Sequence, residues 1–171
     1  MRFGARALVA FTVVLTASLA WSVRRPTEAA VRPPKLQYQT TVLPNGLRVI
    51  LSEDHSTPIV HVSLWYHVGS KNQRPGRTGF AHLFEHMMFK GSKNIEPEAH
   101  TSIVASLGGQ SNAYTTEDTT VFWETFPQHY LPLILWMEAD RMATLRVDDE
   151  AFRREREGVK EERRMRIEKD R

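Results

Sequence analysis

The chain has 171 residues, enough for one domain with a buried core, and its 41 % hydrophobic and 25 % charged content is that of an ordinary globular protein. Its net charge of +3 is unevenly placed: residues 1–35 carry six basic side chains against the single acid Glu28, and the remainder is slightly acidic, which removes the electrostatic basis for nucleic-acid binding. There is no cysteine, so disulfides, thiolate metal sites and a cysteine nucleophile are excluded, and any metal must be held by His, Asp or Glu.

Residues 1–22 read as a signal peptide. "MRFGAR" supplies a positive start, residues 7–20 are an apolar run, and Ser18, Ala20 and Ser22 offer small residues for cleavage. The run is shorter than the roughly 20 residues a membrane span needs. An uncleaved anchor is the alternative, because Trp21 and Val23 extend the run and Arg24-Arg25 follow it. Contact with a membrane is expected only in that case. Export without cysteine points to a bacterial periplasm, with a membrane-anchored or secreted chain as the other destinations. Residues 23–37, rich in Pro and Arg, read as a linker.

Residues 38–54 predict a hairpin turning at Pro44-Asn45-Gly46. Residues 58–70 alternate as a strand, with Val60, Val62, Leu64, Tyr66 and Val68 on one face and His61, Ser63, Trp65 and His67 on the other. A loop over 71–79 leads into a helix over 80–89, capped near Thr78 or by the loop itself. A second helix, 98–109, closes at Gly108-Gly109. Residues 110–127 predict a second hairpin around Glu117-Asp118, and 129–147 a mostly apolar helix. Asp148-Asp149 then cap a last helix, which carries nine basic and seven acidic residues from 150 to 171. The order of elements gives an α+β fold, a mainly antiparallel sheet with helices packed on one side. A domain rarely finishes inside so charged a helix, so residues 38–171 are expected to form an incomplete N-terminal domain. Trp65, Phe122, Trp123 and Trp136 are read as core. His55, His61, His67, His100 and His129 are read as partly exposed polar residues without a role.

The chemistry concentrates in "HLFEH", residues 82–86. At about 100° per residue, His82, Glu85 and His86 share one helical face. An i, i+4 histidine pair places two imidazoles on one divalent ion, and a glutamate beside them is free to act as a base. Surface histidines on an amphipathic helix are the alternative. That alternative suffers from crowding, because Leu83, Phe84, Met87, Met88 and Phe89 occupy most of the remaining circumference, leaving the polar face half buried and in need of partners. A third ligand must come from elsewhere. Glu155 and Glu162, two turns apart on the last helix, are candidates, but spacing does not prefer Glu162 over Glu161 or Glu157.

The blocks "GSKNQRPGRTGFAHLFEHMMFKGS" (69–92), "GGQSNAYTTEDTTVFWETFP" (108–127) and "REGVKEERRMR" (156–166) together resemble the pitrilysin/insulinase family of zinc metallopeptidases, especially bacterial relatives of the mitochondrial processing peptidase β subunit. The resemblance runs from about Tyr38 to the end. It implies one Zn2+ ion held by His82, His86 and Glu162, with Glu85 as the catalytic base and Glu155 as a glutamate that supports the site. Asn112 falls where such enzymes place the edge strand that pairs with substrate. Gly158 departs mildly, since a β-branched residue is usual there. The family forms a clamshell of two homologous halves, so the expected partners are a peptide or protein substrate and a second homologous domain or partner subunit. The resemblance implies a zinc endopeptidase. The alternative is a non-catalytic peptide-binding or assembly subunit, a type that usually lacks the intact ligand set.

Overall fold

The structure, a computed structural model, describes residues 35–169. The proposed signal peptide and most of the linker lie outside the described residues. Two units divide at Glu53 and Asp54.

The first unit is the predicted hairpin, with β1 (Gln39–Val42) antiparallel to β2 (Arg48–Leu51). Gly46 takes φ +88°, a left-handed conformation that costs glycine little, and its N–H donates to the Leu43 carbonyl. The Asn45 side chain accepts from the Leu47 N–H, so the turn residues close the hairpin themselves.

The second unit holds a three-stranded antiparallel sheet in the order β3 (Ile59–Tyr66), β5 (Thr120–Pro127), β4 (Gln110–Thr115). Four helices accompany it: α1 (Phe80–Met87), α2 (Ala99–Ser106), α3 (Leu131–Thr144) and α4 (Asp149–Lys169). Among the described residues, no helix is long and apolar enough to cross a membrane. Strand pairing places Val60 opposite Phe126 and Leu64 opposite Phe122, and this face packs on the helices. The core joins Phe126 to Val104 of α2 and to Ile134 and Met137 of α3, with Ile95 of the intervening loop. Burying side chains of this size contributes roughly 1.5–3 kcal/mol each.

Gly108, at φ +79°, ends α2 as expected. The cap of α1 is not Thr78 but Gly79, at φ +90°, and the Gln73 side chain supplies the acceptor that the N–H groups of Gly79 and Phe80 need. In α4, Asp148 accepts from the Ala151 N–H at 2.8 Å.

Three of the core and surface expectations are corrected. Trp65 is 65 % exposed because period-2 alternation puts it on the sheet face turned away from the helices. Trp136 is half exposed, on the side of α3 opposite Ile134 and Met137. Phe122 is buried, as expected, and Trp123 half-buried against the His61 ring. His100 is not a surface residue: it is 3 % exposed and bonded to Glu138 of α3.

Candidate metal centre

The site is assembled by packing of α1 against α4. The last helix is charged almost throughout, and its few inward residues are Ala151, Phe152, Glu155, Val159 and Glu162. Their spacing of three to four residues makes one stripe. Phe152 meets Phe80 of α1 with ring centroids 6.5 Å apart, and this apolar contact aligns the two helices so that the carboxylates on the same stripe face the histidines.

His82 Nε2 lies 3.2 Å from His86 Nε2. Glu162 places Oε2 3.5 Å from His82 Nε2 and Oε1 3.4 Å from His86 Nε2. A tetrahedral ion with bonds of about 2.0–2.1 Å separates its ligand atoms by about 3.3–3.4 Å. The two nitrogens and the carboxylate therefore stand at the spacing that one such ion requires, and the donor set suits zinc. Glu161 and Glu157, which spacing alone left open, face solvent and pair with basic residues of their own helix, Arg164 and Arg156 with Lys160.

Electrostatics favour ligation. Burial, reinforced by the neighbouring His86, holds the His82 imidazole below its ordinary pKa, and Glu85 and Glu162 only partly oppose this. His82 is thus neutral at pH 7 and offers a lone pair. Glu155 Oε2 sits 3.4 Å from His86 Nδ1. Burial works to raise the Glu155 pKa, but Lys90, Arg154 and His86 outweigh it and hold the carboxyl below its usual value. An ionised carboxylate only accepts. With that acceptor beside it, Nδ1 is the donor nitrogen of the His86 ring, and Nε2 is the one that faces His82 and Glu162.

Glu85 occupies the same turn of α1 but points aside, where Thr115 Oγ1 donates to its Oε2 at 2.6 Å. Thr115 is the last residue of β4, so the glutamate is tied to the sheet. Asn112, also on β4, is exposed on the face away from the helices, and its side chain accepts from the Ala113 N–H rather than joining the cluster. Among the described residues β4 pairs only with β5, which leaves its other edge open.

Two participants escaped the sequence reading. Thr115 carries no signal beyond its place in a Thr-rich strand. Lys90, which bridges Glu155 at 3.1 Å and also contacts Glu98, could have been found only by noticing one basic residue just past a histidine helix. A second acidic and histidine cluster, His100, Glu124 and Glu138, is fully buried. Its charges are engaged by Arg141, whose Nη2 lies 2.7 Å from Glu138 Oε1 and 3.5 Å from Glu124 Oε1. The guanidinium already supplies positive charge to this cluster.

A family model described as "Insulinase (Peptidase family M16)" matches residues 48–170. The chain is similar to "Zinc protease PqqE" of Helicobacter pylori, 36 % identical over 131 residues, which are 76 % of this chain and 30 % of that protein. It is also similar to "Cytochrome b-c1 complex subunit 1, mitochondrial" of Rattus norvegicus, 34 % identical over 121 residues, 71 % of this chain and 25 % of that one. The crystal structure of pitrilysin superposes with a TM-score of 0.69 at 31 % identity, covering 77 % of this chain and 14 % of that chain. The chain thus spans less than a third of the length of the relatives it matches.

Proposed function

This chain belongs to the insulinase family of peptidases, and on that premise we propose that it is the metal-binding part of a zinc endopeptidase acting on extended peptides. Family membership by itself supports a peptidase-like or peptide-binding role. The observation that carries the finer reading is the meeting of His82 Nε2, His86 Nε2 and Glu162 at tetrahedral spacing, with Glu85 one residue from a ligand and outside the ligand set.

In this reading His82, His86 and Glu162 hold one zinc ion. Bound there, zinc supplies Lewis acidity, which acidifies water and polarises a peptide carbonyl. Glu155 fixes the His86 tautomer through Nδ1. Thr115 donates to Glu85 Oε2 and so leaves Oε1 as the basic oxygen. Glu85 takes the proton of the attacking water at that oxygen and passes it to the nitrogen of the departing amine, while the C–N bond breaks and the C–O bond forms. The open edge of β4 receives the peptide by backbone hydrogen bonds. A second homologous domain or partner subunit closes the chamber around it.

The second reading, a non-catalytic peptide-binding or assembly subunit, draws on the similarity to the cytochrome b-c1 subunit. The intact set of Glu85, His82, His86 and Glu162 favours the peptidase. The test is Glu85→Gln in the zinc-loaded chain, read with a quenched fluorescent peptide library. The variant should bind one zinc per chain and cleave at least about 100-fold more slowly, the span expected when a general base is lost. Cleavage at the unsubstituted rate would reject the assigned role.

A further inference from the structure

On the far side of Glu85 from the histidines, the sheet, α1 and the loop over residues 68–77 line an open cavity of about 500 Å3. That volume falls in the range of small-ligand sites. Its walls are apolar, with Tyr66, Phe80, Phe84, Met88 and Phe122 contributing, and Glu85 stands at its edge. Two basic residues line it as well, Arg74 and Arg77. A turn brings them there together: the Arg77 N–H donates to the Arg74 carbonyl at 3.0 Å, and Gly76 between them takes φ +77°. Both residues are exposed, and neither guanidinium has a carboxylate partner among the described residues. An apolar recess next to a proposed catalytic base, flanked by two unneutralised cations, fits an apolar group that carries an anion beside it.

We propose that Arg74 and Arg77 make the chain selective for peptides bearing a carboxylate next to an apolar side chain at the cleaved bond. The apolar group enters the cavity and the carboxylate meets the guanidinium pair. The inference rests on the peptidase reading for the identity of the ligand, but its test does not need metal or turnover.

The experiment uses the full chain stripped of metal and fluorescein-labelled hexapeptides with Phe-Glu, Phe-Lys or Ala-Glu at the centre, in an anisotropy titration at low ionic strength. The Phe-Glu peptide should bind about fivefold more tightly than Phe-Lys, the size expected of two exposed ion pairs, and the difference should shrink in 0.5 M salt. Ala-Glu should bind at least about tenfold more weakly than Phe-Glu, since the ring no longer fills the cavity. The charge-reversed Arg74→Glu/Arg77→Glu variant lies on an exposed turn, keeps the fold, and should prefer Phe-Lys. Equal binding of Phe-Glu and Phe-Lys, no binding of either, parity of Ala-Glu with Phe-Glu, or an unchanged preference in the reversed variant would each overturn the proposal. Failure to bind zinc or to cleave would sink the peptidase reading alone. Cleavage without any acid preference would sink this inference alone.

Discussion

Replacing Glu155 with alanine tests whether the cluster is organised around a metal ion. Glu155 is 9 % exposed and holds His86 Nδ1 at 3.4 Å, so its effect is little screened by solvent. With the side chain gone, the imidazole loses the acceptor that selects its tautomer, and the Nε2 lone pair is no longer fixed toward His82 and Glu162. Outer partners of metal-binding histidines contribute 10–100-fold to affinity, so zinc binding should weaken by about 1.4–2.7 kcal/mol. Lys90 keeps Glu98 as a partner and Arg154, which also pairs with Glu155, is more than half exposed, so the substitution strands no buried cation. Glu155→Gln retains a carbonyl acceptor and should recover part of the loss. The assay is competition for zinc against a chromophoric chelator at pH 7, with thermal unfolding of the metal-free variants alongside. Wild-type affinity in Glu155→Ala would refute the orienting role. A weakened affinity that follows collapse of the metal-free fold would assign Glu155 to packing instead.

Glu124→Gln addresses the buried cluster. Burial, then the charge of Glu138, pushes the Glu124 pKa up to about 8, so its side chain is neutral near pH 7. A folded-state value raised above the unfolded 4.5 gives stability that is present below pH 4.5 and lost as pH rises to about 8, a decline on the order of a few kcal/mol. Glutamine reproduces the uncharged shape, so melting temperatures at pH 5 should match wild type while the fall toward pH 8 flattens; an unaltered fall would contradict the assignment. Gly158→Ala concerns the last helix, where an added Cβ meets nothing within 4 Å. It should raise stability by up to about 1 kcal/mol in thermal unfolding and leave zinc affinity intact, and a lowered melting temperature would show that the helix needs the glycine.

Much of the fold is written in local pattern. Period-2 alternation located β3, and Gly46 and Gly108 marked the chain reversals because their positive φ is what those turns require. Pattern does not carry strand order. β4 and β5 are a local hairpin, but that β5 also pairs with β3 depends on contacts such as Leu64 with Phe122, which join residues far apart in sequence. The same limit explains the misread residues. Alternation placed Trp65 on a face, but its aromatic character suggested burial, and which face the helices cover is a tertiary fact. His100, Glu138 and Arg141 look like ordinary charged positions on two helices until packing brings His100 within 3.0 Å of Glu138, which Arg141 also holds at 2.7 Å.

The candidate site divides along the same line. His82 and His86 were legible because an i, i+4 pair is a local relation. Glu162 was not, because a helix bearing so many charges offers several equivalent carboxylates. The missing discriminator was present in the sequence in weak form: Ala151, Phe152 and Val159 are nearly the only apolar residues of α4 before its last turns, and they share a stripe with Glu155 and Glu162. In a charged helix the rare apolar residue identifies the face that must be buried, and any carboxylate on that face has to find a partner on the neighbouring element. Here the neighbour is α1, drawn in by Phe80 against Phe152. That contact is apolar and needs no ion, so the two imidazoles and the distant carboxylate are brought together by packing and stand ready to coordinate, rather than depending on coordination to gather them.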